Sequence, residues 1–173
     1  YQDYFNIHII NLVSEESGID DLPDVMVDTA LDAGNSFSEF DGRKITDLDW
    51  GLAYVEFSAS EKFGIDPDMR VVILNGQGGV ADRNFLAVTS PDSGTLLHEV
   101  GHSFALLADE YYYTGKAYEG SYRATNVSDE PLGLPWSHWL GYDDPYTGVV
   151  SAFEGAGYHE NGLFRPREHS MMR

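Results

Sequence analysis

His98 and His102 stand four residues apart, with Glu99 beside the first, in the run His98-Glu99-Val100-Gly101-His102. On a helix this spacing puts the imidazoles one turn apart and about 40° round the axis, so both can reach one metal ion. Glu99 lies one step round, placed to touch a metal-bound water rather than the metal. Two histidines that bind zinc and a glutamate that acts as general base make up this pattern in metallopeptidases. Without a metal, the same residues are two surface histidines and a solvated carboxylate; the helix-compatible context favours the zinc reading.

A catalytic zinc takes three protein ligands and keeps one position open. On a straight helix Asp109 would lie about 10 Å further along the axis than His102 and could not share the ion. The helix must therefore break near Leu106 and fold back. The longer zincin signature breaks at a glycine three residues after the second histidine and places a third histidine three further on. Those positions are Ala105 and Ala108 here. Asp109 is the favoured third ligand, with Glu110 supporting it from behind or replacing it. His138, His159 and His169 are alternatives that only folding could bring close.

The elements that must position these groups follow from pattern. Ser90 and Pro91 supply an N-cap and a first-turn proline for the metal helix, or entry slips to Ser93. Leu97, Val100, Phe104 and Leu107 form its expected core stripe, with the histidines beside it facing a cleft. Residues 5–13 read as a buried strand, with His8 a packed or edge residue. Residues 14–23 read as an acidic loop, 25–31 as a second strand and 32–42 as a hairpin or loop. Asp47 reads as the N-cap of a helix with Leu48, Leu52, Val55, Ala59 and Phe63 on one face, ended by Gly64. Residues 70–75 read as a central strand and 84–89 as another, just before the metal helix. The glycine-rich run at 76–79 matches no phosphate-binding loop and reads as a rim loop. After Tyr113 the chain is rich in Gly, Pro and aromatics, with Trp136, Trp139, Phe153, Tyr158 and Phe164 available for a core. The expectation is a single catalytic domain over 1–173, with an upper subdomain of about 1–107, a lower one of about 108–173 and the cleft between them.

The chain of 173 residues is 42% apolar and 13% aromatic, which suits one globular domain with a core of its own. A net charge of −19 argues against a nucleic-acid partner. No run is apolar enough to span a membrane, and no signal peptide is present. The absence of cysteine excludes disulfides and thiolate ligands. Asp66-Pro67-Asp68 and Asp143-Asp144 read as turns rather than calcium loops. A start at Tyr1 without Met fits a processed form or a domain excised from a longer chain. Oligomeric state is not written in the sequence.

The motif, followed by Ala108-Asp109-Glu110-Tyr111, resembles the signature of the bacterial IgA-peptidase family of metzincin-like zinc metallopeptidases. Phe153-Glu154-Gly155-Ala156-Gly157-Tyr158, Arg165-Pro166 and Ser170-Met171-Met172-Arg173 resemble that family's C-terminal run, while the first forty residues match more loosely. The resemblance implies an α+β, zincin/metzincin-like fold: a twisted mixed sheet, an active-site helix and an irregular C-terminal subdomain. It also implies a Met-turn flooring the metal, for which Met171 is the choice over Met172. A secreted or extracytoplasmic location is implied as well.

The expected function is a zinc-dependent endopeptidase acting on protein or peptide substrates, with one Zn2+ held by His98, His102 and Asp109. Glu99 takes a proton from the attacking water and passes it to the leaving amine. Tyr111, Tyr112 and Tyr113 are more consistent with packing than catalysis. Residues 84–89 are expected as an upper rim along which substrate pairs in extended form, and residues 154–158 as a lower wall by analogy. Two other readings remain: a non-catalytic, metal-containing binding module for host or matrix glycoproteins, and a hydrolase of another bond such as a cell-wall amide.

Overall fold

The computed structural model describes residues 5–21, 24–38, 42–48, 64–89 and 93–173. The architecture is mixed α+β, with one α-helix among the described residues and several small sheets. The chain divides into two compact units, residues 1–80 with 87–90, and residues 81–86 with 91–173. The metal-motif helix therefore groups with the C-terminal half of the chain.

In the first unit, β1 (Asp20–Asp21), β2 (Gly34–Ser38) and β3 (Gly42–Asp47) form one sheet in that order. β1 pairs parallel with β2, and β2 antiparallel with β3. The expected strand at 25–31 is reduced to a single bridge between Val25 and Asp21. β3 ends at Asp47; the helix expected to start from it, with its apolar face and its capping, falls on residues 49–63, outside the described residues. The expected buried strand at 5–13 is not formed either: Ile7, Ile9 and Val13 are exposed and the segment carries no ladder. β-propensity records fitness for a pleated, half-buried surface, and without a pairing edge it makes no strand.

β4 (Arg70–Leu74), β5 (Gly79–Asp82) and β6 (Phe85–Thr89) form a three-stranded sheet in the order β4-β6-β5. β6 is the most buried of them, and both its neighbours are taken. This corrects two expectations. β4, expected as central, lies at an edge of the three, and β6 has no free edge along which an extended substrate could pair.

The second unit holds α1 (Ser93–Ala105), β7 (Tyr112–Ala117), a 3-10 turn at Ser137–Trp139, and the short pair β8 (Asp143–Asp144) and β9 (Gly148–Val149). It ends in β10 (Phe153–Ala156) and β11 (Tyr158–Arg165). The sheet order is β10-β11-β7, antiparallel across the hairpin and parallel between β11 and β7, with Tyr158 opposite Tyr112. Val127, Ala156 and Leu163 form one core cluster, and Leu134, Trp136 and Val150 another. Of the aromatics expected in the core, Trp136 is buried and Phe164 packs against its cluster, whereas Trp139 is exposed.

α1 is described from Ser93 onward, residues 90–92 lying outside the described residues, and its buried residues are Glu99, Gly101 and Ser103. These flank the histidines on the helical wheel, Gly101 on one side and Glu99 with Ser103 on the other. The expected core stripe is exposed at Leu97 and Phe104. Close approach decides the packing here: a Cβ on Gly101 would stand 2.5 Å from the Met172 sulfur.

Candidate metal centre

The helix stops where the expected third ligand requires it to. Ala105 is its last residue, and Leu106 turns left-handed at φ +53. Leu107 then sends its N–H back to the Gly101 carbonyl at 3.1 Å. A left-handed residue is a common way to end a helix, usually as glycine. Here a leucine does it, one position after the alanine that replaces the glycine of the longer signature. The returning chain is clamped by Asn126, which accepts from the Ala108 N–H and donates to the Ala108 carbonyl, both at 2.8 Å. The same side chain donates to Glu110 Oε1 at 2.9 Å.

This fold-back brings His98, His102 and Asp109 into one group. The two Nε2 atoms are 3.0 Å apart, and Asp109 Oδ1 lies 3.1 Å from the first and 3.2 Å from the second. Nδ1 of His98 faces the Met171 carbonyl at 3.1 Å, and Nδ1 of His102 the Leu107 carbonyl at 2.6 Å. A carbonyl only accepts, so each Nδ1 carries the proton and each Nε2 turns a lone pair inward. Asp109 Oδ1 is buried and takes no hydrogen bond. Three possible ligand atoms thus converge on one point. The triangle's edges are close to the roughly 3.3 Å edge of a tetrahedron with bonds of about 2.0–2.1 Å. The donor set fits a small divalent cation such as zinc, with carbonyls fixing each imidazole from behind.

Protonation follows the same geometry. The Asp109 carboxylate pushes the His98 pKa up against the opposing effect of burial. At His102 burial pulls down, but Asp109 and the Leu107 carbonyl outweigh it and the pKa is raised. Burial would raise Asp109, yet the two imidazoles and the Tyr158 phenol hold it well below the usual carboxylate range. Tyr158 is itself pushed up by burial and by Asp109, so it stays a hydrogen-bond donor at neutral pH.

Glu110 sits elsewhere. It is 2% exposed, with Oε1 accepting from Asn126 and Oε2 from the Ser170 hydroxyl at 2.5 Å. Burial raises its pKa. Its N–H donates to the Met172 carbonyl at 2.7 Å, so Glu110 joins the bend to the C-terminal turn. The methionine packed against the helix is Met172, 2% exposed, rather than Met171, which is 52% exposed. Met171 contributes its carbonyl to His98 instead. Glu99 is buried on α1 beside His98. His159 turns its Nδ1 to the Gly157 carbonyl, and His138 packs on Trp139; neither they nor His169 enter the ligand group among the described residues.

Sequence reasoning missed Asn126 and the attachment of Tyr158 to Asp109. Neither stands at a spacing that announces it. A cavity of about 400 Å³ opens beside the centre, with His102 and Asp109 at its margin and Tyr118, Tyr122, His159 and Leu163 around it.

A family model described as IgA Peptidase M64 matches residues 1–145, more than four-fifths of the chain. The chain belongs to the IgA peptidase M64 family. Members of the M64 family are metal-dependent peptidases, which agrees with a His/Asp group able to hold a metal. The match includes the motif and Asp109 and begins at residue 1, where the resemblance was looser. Residues 153–173, which also carried the resemblance, lie beyond the matched range. No curated protein matches the chain.

Proposed function

We propose that this M64 family member is a zinc-dependent endopeptidase with a metzincin-like catalytic unit. The observation that carries the reading is the convergence of His98 Nε2, His102 Nε2 and Asp109 Oδ1 on one point, on a helix that also carries Glu99. When bound, zinc lowers the pKa of water toward neutrality and polarises a peptide carbonyl. The chain's own residues do the rest. Glu99 takes the proton of the attacking water on its carboxylate and returns it to the leaving amine. The carbonyls of Met171 and Leu107 keep the imidazoles from rotating. Met172 supports the helix at Gly101, the place of a Met-turn methionine. The aromatic-lined cavity beside His102 and Asp109 receives an uncharged substrate side chain. A place of work outside the cytoplasm is proposed from the family resemblance alone.

The test is a pair of variants measured for both zinc content and peptide hydrolysis. Glu99→Ala is expected to keep stoichiometric zinc and lose at least about 10²-fold in turnover. Asp109→Ala is expected to lose zinc first. Undiminished hydrolysis by Glu99→Ala would remove the general-base role. Zinc binding with no chelator-sensitive hydrolysis in the wild type would leave the binding-module reading in its place.

A further inference from the structure

The two oxygens of Asp109 have different surroundings. Oδ1 faces the imidazole pair and is buried without a hydrogen bond. Oδ2 accepts the phenolic hydrogen of Tyr158. Tyr158 opens β11 with φ +70, a left-handed backbone that bulky L residues rarely adopt. That conformation is held on several sides. Gly157 donates its N–H to the Asp109 carbonyl at 2.9 Å, and Tyr158 donates its own to the Tyr111 carbonyl at 3.0 Å. The ring meets Tyr111 edge-on at 5.1 Å and stacks on Tyr113 at 6.0 Å. Core filling does not explain it, because Tyr158 remains 37% exposed. Backbone outliers held by their surroundings cluster at functional sites.

We propose that Tyr158 is a positioning residue for the metal: its phenol occupies Oδ2 and so presents Asp109 as a one-oxygen ligand. A carboxylate bound through one oxygen leaves the open position that a catalytic site needs. Released from the phenol, Asp109 could turn and offer both oxygens, which would add a fifth donor that crowds the open position and would loosen the fixed geometry. The inference rests on the metal-centre reading but not on peptidase activity, and Tyr158 lies outside the residues the family model matches.

The experiment uses the whole chain, stripped of metal and titrated with Zn2+ against a chromophoric chelator, and separately with Co2+. Tyr158→Phe is expected to weaken Zn2+ binding about 10- to 100-fold, as removal of a group behind a metal ligand typically does. Its Co2+ complex is expected to show weaker visible d–d bands, as the ion moves from four toward five ligands. Tyr158→Gly suits the left-handed backbone and also removes the phenol; it must reproduce the weaker binding. Wild-type affinity with an unchanged Co2+ spectrum in both variants overturns the inference alone. A wild type that binds neither ion overturns the metal-centre reading beneath it.

Discussion

With a divalent cation on the proposed ligands, protons and metal would compete for the same three atoms, which would give the site a pH response of two opposite signs. His98 and His102 have raised pKa values, so in the metal-free protein their contribution to stability is fully present below the unfolded value of 6.5. It is lost as pH rises through the folded values. Asp109 is depressed, so its contribution is present above its unfolded value of 3.8 and lost as pH falls through the folded one. The metal-free protein is therefore expected to melt highest in mild acid, between those two limits. Metal binding runs the other way, because both imidazoles must give up their extra proton. Apparent affinity is expected to fall by as much as about two log units per pH unit below the His values, two protons being displaced. Melting of the metal-free protein and chelator competition, each across the range, check both halves. A metal-free protein that grows more stable from mild acid to neutral pH would contradict the assignment.

At the scale of the element, α1 is positioned by close approach more than by its apolar stripe. Gly101→Ala would put a methyl group 2.5 Å from the Met172 sulfur. Overpacking of this kind costs about 1–3 kcal/mol. It would also push on the turn that lends its carbonyl to His98. A lowered melting temperature together with weaker zinc binding is expected; weaker stability with unchanged zinc affinity would separate Met172 from the site. The contrast between α1 and the rest shows what a sequence can carry. The two histidines and Asp109 lie within twelve residues, where helix geometry alone says that the chain must bend. Which face the helix buries depends on Met172, seventy-one positions from Gly101, and periodicity has no access to that contact. Residues 5–13 fail as a strand for a related reason: alternation can describe a side-chain pattern but cannot supply a partner edge. Asn126 and Tyr158 sit in irregular or strained backbone, and polar side chains there resemble ordinary loop residues until the fold brings them to Asp109.

For the whole molecule, one ion would tie together segments far apart in the chain. A ligand that binds only the folded state stabilises it by mass action, by about 2.7 kcal/mol at a free concentration of 100 Kd. Zinc addition is expected to raise the melting temperature and slow amide exchange over residues 98–110, 157–159 and 170–172. Those residues belong to the second unit. The β1–β2–β3 sheet contains none of them, and its exchange is expected to change least. Equal slowing throughout the chain would mean that the metal's effect is not local to the second unit.

Loops ordinarily accept insertions and deletions. The stretch from Leu106 to Ala108 has no regular structure, yet it works as a ruler. The left-handed Leu106 sets its angle, and the two bonds from Asn126 fix its length one residue before Asp109. A single residue inserted after Leu107 is expected to abolish zinc binding, whereas one inserted beside Tyr146, 93% exposed in the β8–β9 turn, is expected to leave it unchanged. Changes of side chain between His102 and Asp109 are thus expected to disturb zinc binding less than any change in the number of residues between them.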